Sequence, residues 1–144
     1  MDYTVFAKDL LERKTTLEAS CNSMKEELIE LKSEMNGSSH VNAVPITGSG
    51  TNKAEARLIN LIYRIDDTKF RLGIVQRDLK LIENGMKQLD EYESMLLEGF
   101  FIHNTRCAVD SLMSRFYKER STIYADRRRA LEKFTRAVYG LVLI

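Results

Sequence analysis

The residues of this chain whose types and spacing suggest chemistry lie in its last third, and the chemistry is recognition. The segment from Arg120 to Phe134, RSTIYADRRRALEKF, opens with a serine whose hydroxyl can accept an amide proton of a first helical turn, so Ser121 is expected to be an N-cap. In a helix starting there, Ile123, Ala130, Leu131 and Phe134 share one face, and Thr122, Ala125, Asp126 and Arg129 share the other. Those four present hydroxyl, methyl, carboxylate and guanidinium groups, the kinds that read base edges in a DNA major groove. Around them, Arg115, Lys118, Arg120, Ser121, Arg128 and Lys133 are expected to meet phosphates. A surface helix with a solvated charge run would carry the same composition.

Two further helices are needed to position that one. Ala108 to Tyr117 reads as a short helix with Val109, Leu112, Met113 and Phe116 inward, and Lys118-Glu119-Arg120 as a tight turn before Ser121. Two short helices joined by a turn of three or four residues follow the plan of a helix-turn-helix. Leu89 to Leu97 supplies a supporting helix with Leu89, Tyr92, Met95 and Leu96 inward. A plain three-helix bundle has the same pattern.

The run from Leu89 to Phe134 resembles the sigma-factor region-four helix-turn-helix, in particular the version in phage late-transcription regulators of the ArpU and RinA type. The likeness is carried by Leu-Asp-Glu-Tyr-Glu at 89–93, the Phe100-Phe101 pair, and Arg-Ser-Thr-Ile-Tyr followed by Arg-Arg-Arg-Ala-Leu-Glu-Lys-Phe. Phe116-Tyr117-Lys118 stands where such turns often have a glycine, and the second helix follows Cys107, which is no Ser or Thr cap. The resemblance implies binding to promoter DNA and a possible contact with RNA polymerase.

Charge is distributed unevenly. Residues 100–144 hold nine Lys and Arg against four Asp and Glu, giving +5, while residues 1–99 hold 13 against 17, giving −4. A basic module on an acidic remainder is the asymmetry of a nucleic-acid binder. Cys21 and Cys107 have no Cys-x-x-Cys partner and read as reduced core or seam thiols of a cytoplasmic protein; His40 and His103 are isolated, so no metal site or cofactor is expected. No signal peptide and no apolar run long enough to span a bilayer are seen; the tail Leu141 to Ile144 is expected to be buried.

The rest of the chain reads as long helices. Tyr3, Phe6, Leu10, Lys14, Leu17, Cys21, Met24, Leu28, Leu31 and Met35 alternate steps of three and four, an a/d seam in one coiled-coil helix over 1–35. Lys14 interrupts the seam and would set register or partner number. Residues 36–52, with three of the seven glycines and the only proline, Pro45, read as a flexible Gly/Ser linker, a feature such phage regulators share. Gly48-x-Gly50 lacks the Gly-Lys-Ser/Thr ending of a phosphate loop. Over 53–88, Leu58, Leu61, Ile65, Thr68, Leu72, Val75, Leu79, Ile82 and Met86 form a second seam, continued by Leu89. Ile62, Ile74 and Leu81 widen it, as a helix with more than one neighbour requires. Gly73, which costs about 1 kcal/mol relative to alanine within a helix, is expected to mark a close helix crossing, and Asn84-Gly85 a C-cap. These helices either fold back on each other or pair between chains.

No nucleophile–base pair, buried carboxylate pair or nucleotide motif is present, so an enzyme is not expected. The expectation is an all-α protein: coiled-coil helices, then a C-terminal module at 89–144. It would be an oligomeric, sequence-specific regulator binding double-stranded DNA, of phage or prophage origin. The alternatives are a coiled-coil interaction protein and a small terminase-like packaging subunit.

Overall fold

A computed structural model describes residues 2–41 and 49–140, and every regular element among them is helical. The elements are α1 (Tyr3–Glu12), α2 (Lys14–Val41), α3 (Ser49–Met86), α4 (Glu91–Leu97), a π-helical segment (Glu98–Ile102), α5 (Ala108–Phe116) and α6 (Arg120–Tyr139). None is long and apolar enough to cross a membrane. The chain forms two compact units, one of residues 19–76 and one joining 1–18 to 77–144.

In the 19–76 unit the two seams meet within one chain. Leu31 packs with Leu61 and Ile65, and Leu28 and Met35 close over them. Cys21, Met24 and Leu72 are buried along the same line. Glu27 pairs with Arg71 at 3.9 Å, so sequence order rises on one helix as it falls on the other, an antiparallel hairpin. Thr68, expected in the apolar seam, is buried with its hydroxyl accepting from the Arg71 guanidinium at 3.3 Å. The helices extend further than their apolar patterns. α2 continues through Asn36-Gly37-Ser38-Ser39 to Val41, and α3 begins at Ser49. The expected 36–52 linker is thus helical at both ends, because glycine and serine lower helix propensity without forbidding the helix. Pro45 and Gly48 lie outside the described residues, as does the 141–144 tail.

In the other unit the expected single helix over 1–35 is divided at Arg13 (φ −87°, ψ −5°), whose guanidinium pairs with Asp9 at 3.0 Å and Asp78 at 3.8 Å. α1 buries Ala7, Leu10 and Leu11 and packs on α6 and the π-helical segment. Tyr3 lies 5.5 Å from Tyr139, ring to ring. Ala7 and Leu11 stand off the a/d line, and they are why α1 belongs with the C-terminal helices and not with a stalk. Phe6 and Lys14, on that line, are exposed and half-buried; Lys14 pairs with Glu18 at 3.7 Å.

Neither Gly73 nor Gly85 of α3 has the role expected of it. Among the described residues a Cβ on Gly73 would meet nothing within 4 Å, so none of the described helices crosses there. A Cβ on Gly85 would fall 2.5 Å from Phe134 and 2.7 Å from Val138. Gly85 is no C-cap: it lies inside α3, where the lack of a side chain admits α6. Ile62 and Ile74, expected to widen the buried seam, are exposed.

Candidate nucleic-acid interface

α4 is held by sequence-local chemistry. Asp90 accepts from the Glu93 amide at 2.8 Å, and Glu93 Oε1 accepts from the Asp90 amide at 3.1 Å, a complete capping box. Leu96, Leu97, Phe101 and Ile102 then face the core formed with Ala108, Leu112, Ile123, Ala130 and Phe134. The connection from α5 to α6 is three residues, Tyr117 to Glu119. Tyr117 adopts the left-handed conformation (φ 55°, ψ 47°), the one a glycine usually supplies at this position, and its side chain is 93% exposed. The Lys118 amide donates to the Met113 carbonyl at 3.3 Å and closes the helix end.

The N-cap of α6 lies two residues earlier than expected. Glu119 is its N-cap, without a side-chain hydrogen bond, and Ser121 is an exposed residue of its first turn instead of the cap. Its inner face is as expected: Ile123, Ala130 and Phe134 are fully buried and Leu131 half-buried. Cys107, expected in the core, is exposed just before α5; Cys21 is buried.

The four residues expected to face bases divide. Ala125 and Arg129 are exposed and Thr122 is half-buried. Asp126 is different: its side chain is only 14% exposed and its carboxylate is a node joining three elements. The Tyr92 hydroxyl donates to it from α4 at 2.7 Å, Lys118 from the connection at 3.2 Å, and Arg129 from the next turn of α6 at 2.5 Å. Burial opposes ionisation of Asp126, but the hydrogen bonds from Tyr92 and Lys118 and the charges of Lys118 and Arg129 outweigh it, holding the carboxyl below its ordinary value. Burial, and then the hydrogen bond to this carboxylate, push the Tyr92 phenol well above its ordinary value.

The residues expected to meet phosphates are also largely engaged. Lys118 is paired with Asp126 and its Nζ sits 4.1 Å over the Tyr92 ring. Arg120 reaches Asp110 of α5 at 3.0 Å, and Lys133 reaches Glu93 of α4 at 3.0 Å. Arg115 lies 5.8 Å over Phe116. Arg128 is exposed and makes no ion pair among the described residues. Arg127, omitted from the expected set, packs over Phe100 at 4.8 Å and Tyr124 at 4.9 Å. It is a structural cation.

The outward strip of α6 therefore consists of Ser121, Ala125, Arg128, Arg129 and Arg136. Arg136, not among the expected site residues, lies two turns beyond Arg129 and three beyond Ala125 at helical spacing, a signal visible in the sequence. Although Arg129 touches Asp126, its own side chain is 70% exposed. No known protein family, curated protein or solved structure matches the chain.

Proposed function

We propose that the protein is a sequence-specific DNA-binding regulator of the phage or prophage type, with α5, the three-residue connection and α6 acting as a helix-turn-helix. The observation that carries this reading is the exposed strip of α6, where Ala125, Arg128 and Arg136 stand clear of the ion pairs that neutralise Lys118, Arg120 and Lys133, and where Arg129, though paired with Asp126, keeps its side chain 70% exposed. A small residue flanked by guanidinium groups suits entry into a major groove, with Arg129 toward base edges and Arg128 and Arg136 toward phosphates. Thr122 is a further base-facing candidate at the rim, and Ser121 and Arg115 further phosphate contacts. Asp126 acts through Arg129, whose guanidinium it orients. The likeness of residues 89–134 to sigma region four adds RNA polymerase as a second partner.

A salt-titrated binding assay on random and promoter-like duplexes tests the proposal. Arg128→Ala is expected to weaken binding to every sequence and lower the salt slope by about one, and Arg129→Ala to cost about 1–3 kcal/mol on the preferred site alone. Equal losses on all duplexes for both variants would remove the assignment of roles. The absence of any salt-dependent DNA affinity in the full chain would remove the function.

A second reading, a helical interaction protein, is favoured by the internal pairing of three of the six expected phosphate contacts: Lys118 with Asp126, Arg120 with Asp110, and Lys133 with Glu93.

A further inference from the structure

The buried seam of α3 has a counterpart on the opposite side of the same helix. Ile59, Tyr63, Asp66, Phe70, Gly73 and Arg77 follow one another at steps of four and three, half a turn around from Leu61, Ile65, Thr68 and Leu72. All six are exposed, and Tyr63 and Phe70 are 71% and 69% open. Ile62 and Ile74 flank the line and are exposed as well. The inner seam is already satisfied by α2 of the same chain, so this second stripe is spare.

We infer that a second copy of this chain packs antiparallel along this stripe, with Phe70 of each copy seated at Gly73 of the other. Three observations choose that occupant. The first is shape: Gly73 is an exposed helical glycine with no described atom within 4 Å of its missing side chain, and it stands three residues from the exposed ring of Phe70. An antiparallel pair with its two-fold axis between Arg71 and Leu72 brings each Phe70 over the opposite Gly73. The second is charge. The same register sets Asp66 of one copy against Arg77 of the other, twice by symmetry, and neither side chain has an ion pair among the described residues. The register that would instead match Ile59 with Ile74 sets Asp66 against Asp67, a like-charge contact. The third is area. With aromatic side chains offering roughly 200 Å² each and the isoleucines about half open, two facing stripes cover on the order of 1,000 Å², the size at which a specific interface begins. A self-complementary patch of this kind is what a two-fold dimer requires. The inference does not rest on DNA binding.

The test is the mass of the full chain by light scattering after gel filtration, over a concentration series, with helicity and melting recorded for each variant. The wild type is expected to run as two chains. Phe70→Glu and Asp66→Arg are each expected to give one chain with unchanged helicity, since both side chains are exposed. Asp66→Arg combined with Arg77→Asp is expected to restore two. A wild type that remains one chain at the highest concentration reached overturns the inference, whatever else the stripe then binds. A Phe70→Glu variant that remains two chains overturns it equally, and a double variant that fails to recover overturns the register.

Discussion

At the scale of single residues, Asp126 decides most. Its carboxylate collects donors from Tyr92, Lys118 and Arg129, which come from α4, the α5–α6 connection and α6. Since the carboxyl titrates below its ordinary value in the folded protein, the stability it contributes is present above the unfolded value near 3.9 and is lost as pH falls through the folded one. Asp126→Asn is expected to lower unfolding stability by about 1–2 kcal/mol at neutral pH, the scale of a weakened charged hydrogen bond. The gap from wild type should close as pH falls below the unfolded value, which urea titrations across that range measure. A gap independent of pH would mean that packing, not charge, makes the difference. Tyr92 has the opposite sense: its raised phenol leaves stability intact below the unfolded value near 10 and erodes it as pH rises toward the folded one. The place of Asp126 was not legible in the sequence. Helical spacing puts it beside Arg129 on the outer face, and nothing local reveals that a tyrosine 34 residues upstream reaches it.

At the scale of elements, the glycines show what backbone space does. Gly85→Ala gains roughly 1 kcal/mol of helix propensity but drives a methyl into the Phe134 ring and Val138, and overpacking of that kind typically costs about 1–3 kcal/mol. A lower melting temperature is expected. Gly37→Ala, in the exposed body of α2 with open space around it, is expected to raise stability by about 0.5–1 kcal/mol. Chemical denaturation of both variants checks the pair; Gly85→Ala matching Gly37→Ala would show that α6 does not close on α3 there. Tyr117→Gly, relieving a left-handed residue, is expected to stabilise by about 1 kcal/mol without moving α6. Periodicity made the long helices and their a/d faces legible, because a continuous seam of leucines and isoleucines dictates its own burial. It could not distinguish Gly73 from Gly85, since both sit in the same helical pattern and differ only in what crosses them. Ala7 and Leu11 were equally hidden. Their importance comes from α6, more than 100 residues away in sequence; Ala7 is too small to carry weight in a hydropathy pattern, and Leu11 falls outside the a/d spacing.

At the scale of the whole molecule, the composite unit changes what a minimal fragment for testing the proposed DNA binding must contain. The sequence suggests that Leu89 to Ile144 stands alone as a module. In the structure the core of that module also takes Ala7, Leu10 and Leu11 from α1 and Ile82 from α3, all 3% exposed or less. Gly85 adds the close contact with Phe134. Removing α1 and α3 returns the facing sides of α6 and the π-helical segment to water. At about 1.5–3 kcal/mol for each large apolar side chain buried, the loss of Leu10, Leu11 and Ile82 alone is comparable with the 5–15 kcal/mol that holds a typical domain together. The 89–144 fragment is therefore expected to show weak helicity and no cooperative melt, and to bind DNA poorly because it is unfolded, not because it has lost the avidity of a pair. The full chain carrying Phe70→Glu separates the two causes, since the unit proposed to bind DNA is complete while the proposed pairing stripe is broken. If that variant binds a single half-site as wild type does while the fragment fails, folding explains the fragment. A fragment that melts cooperatively would return α1 to the status of a stalk.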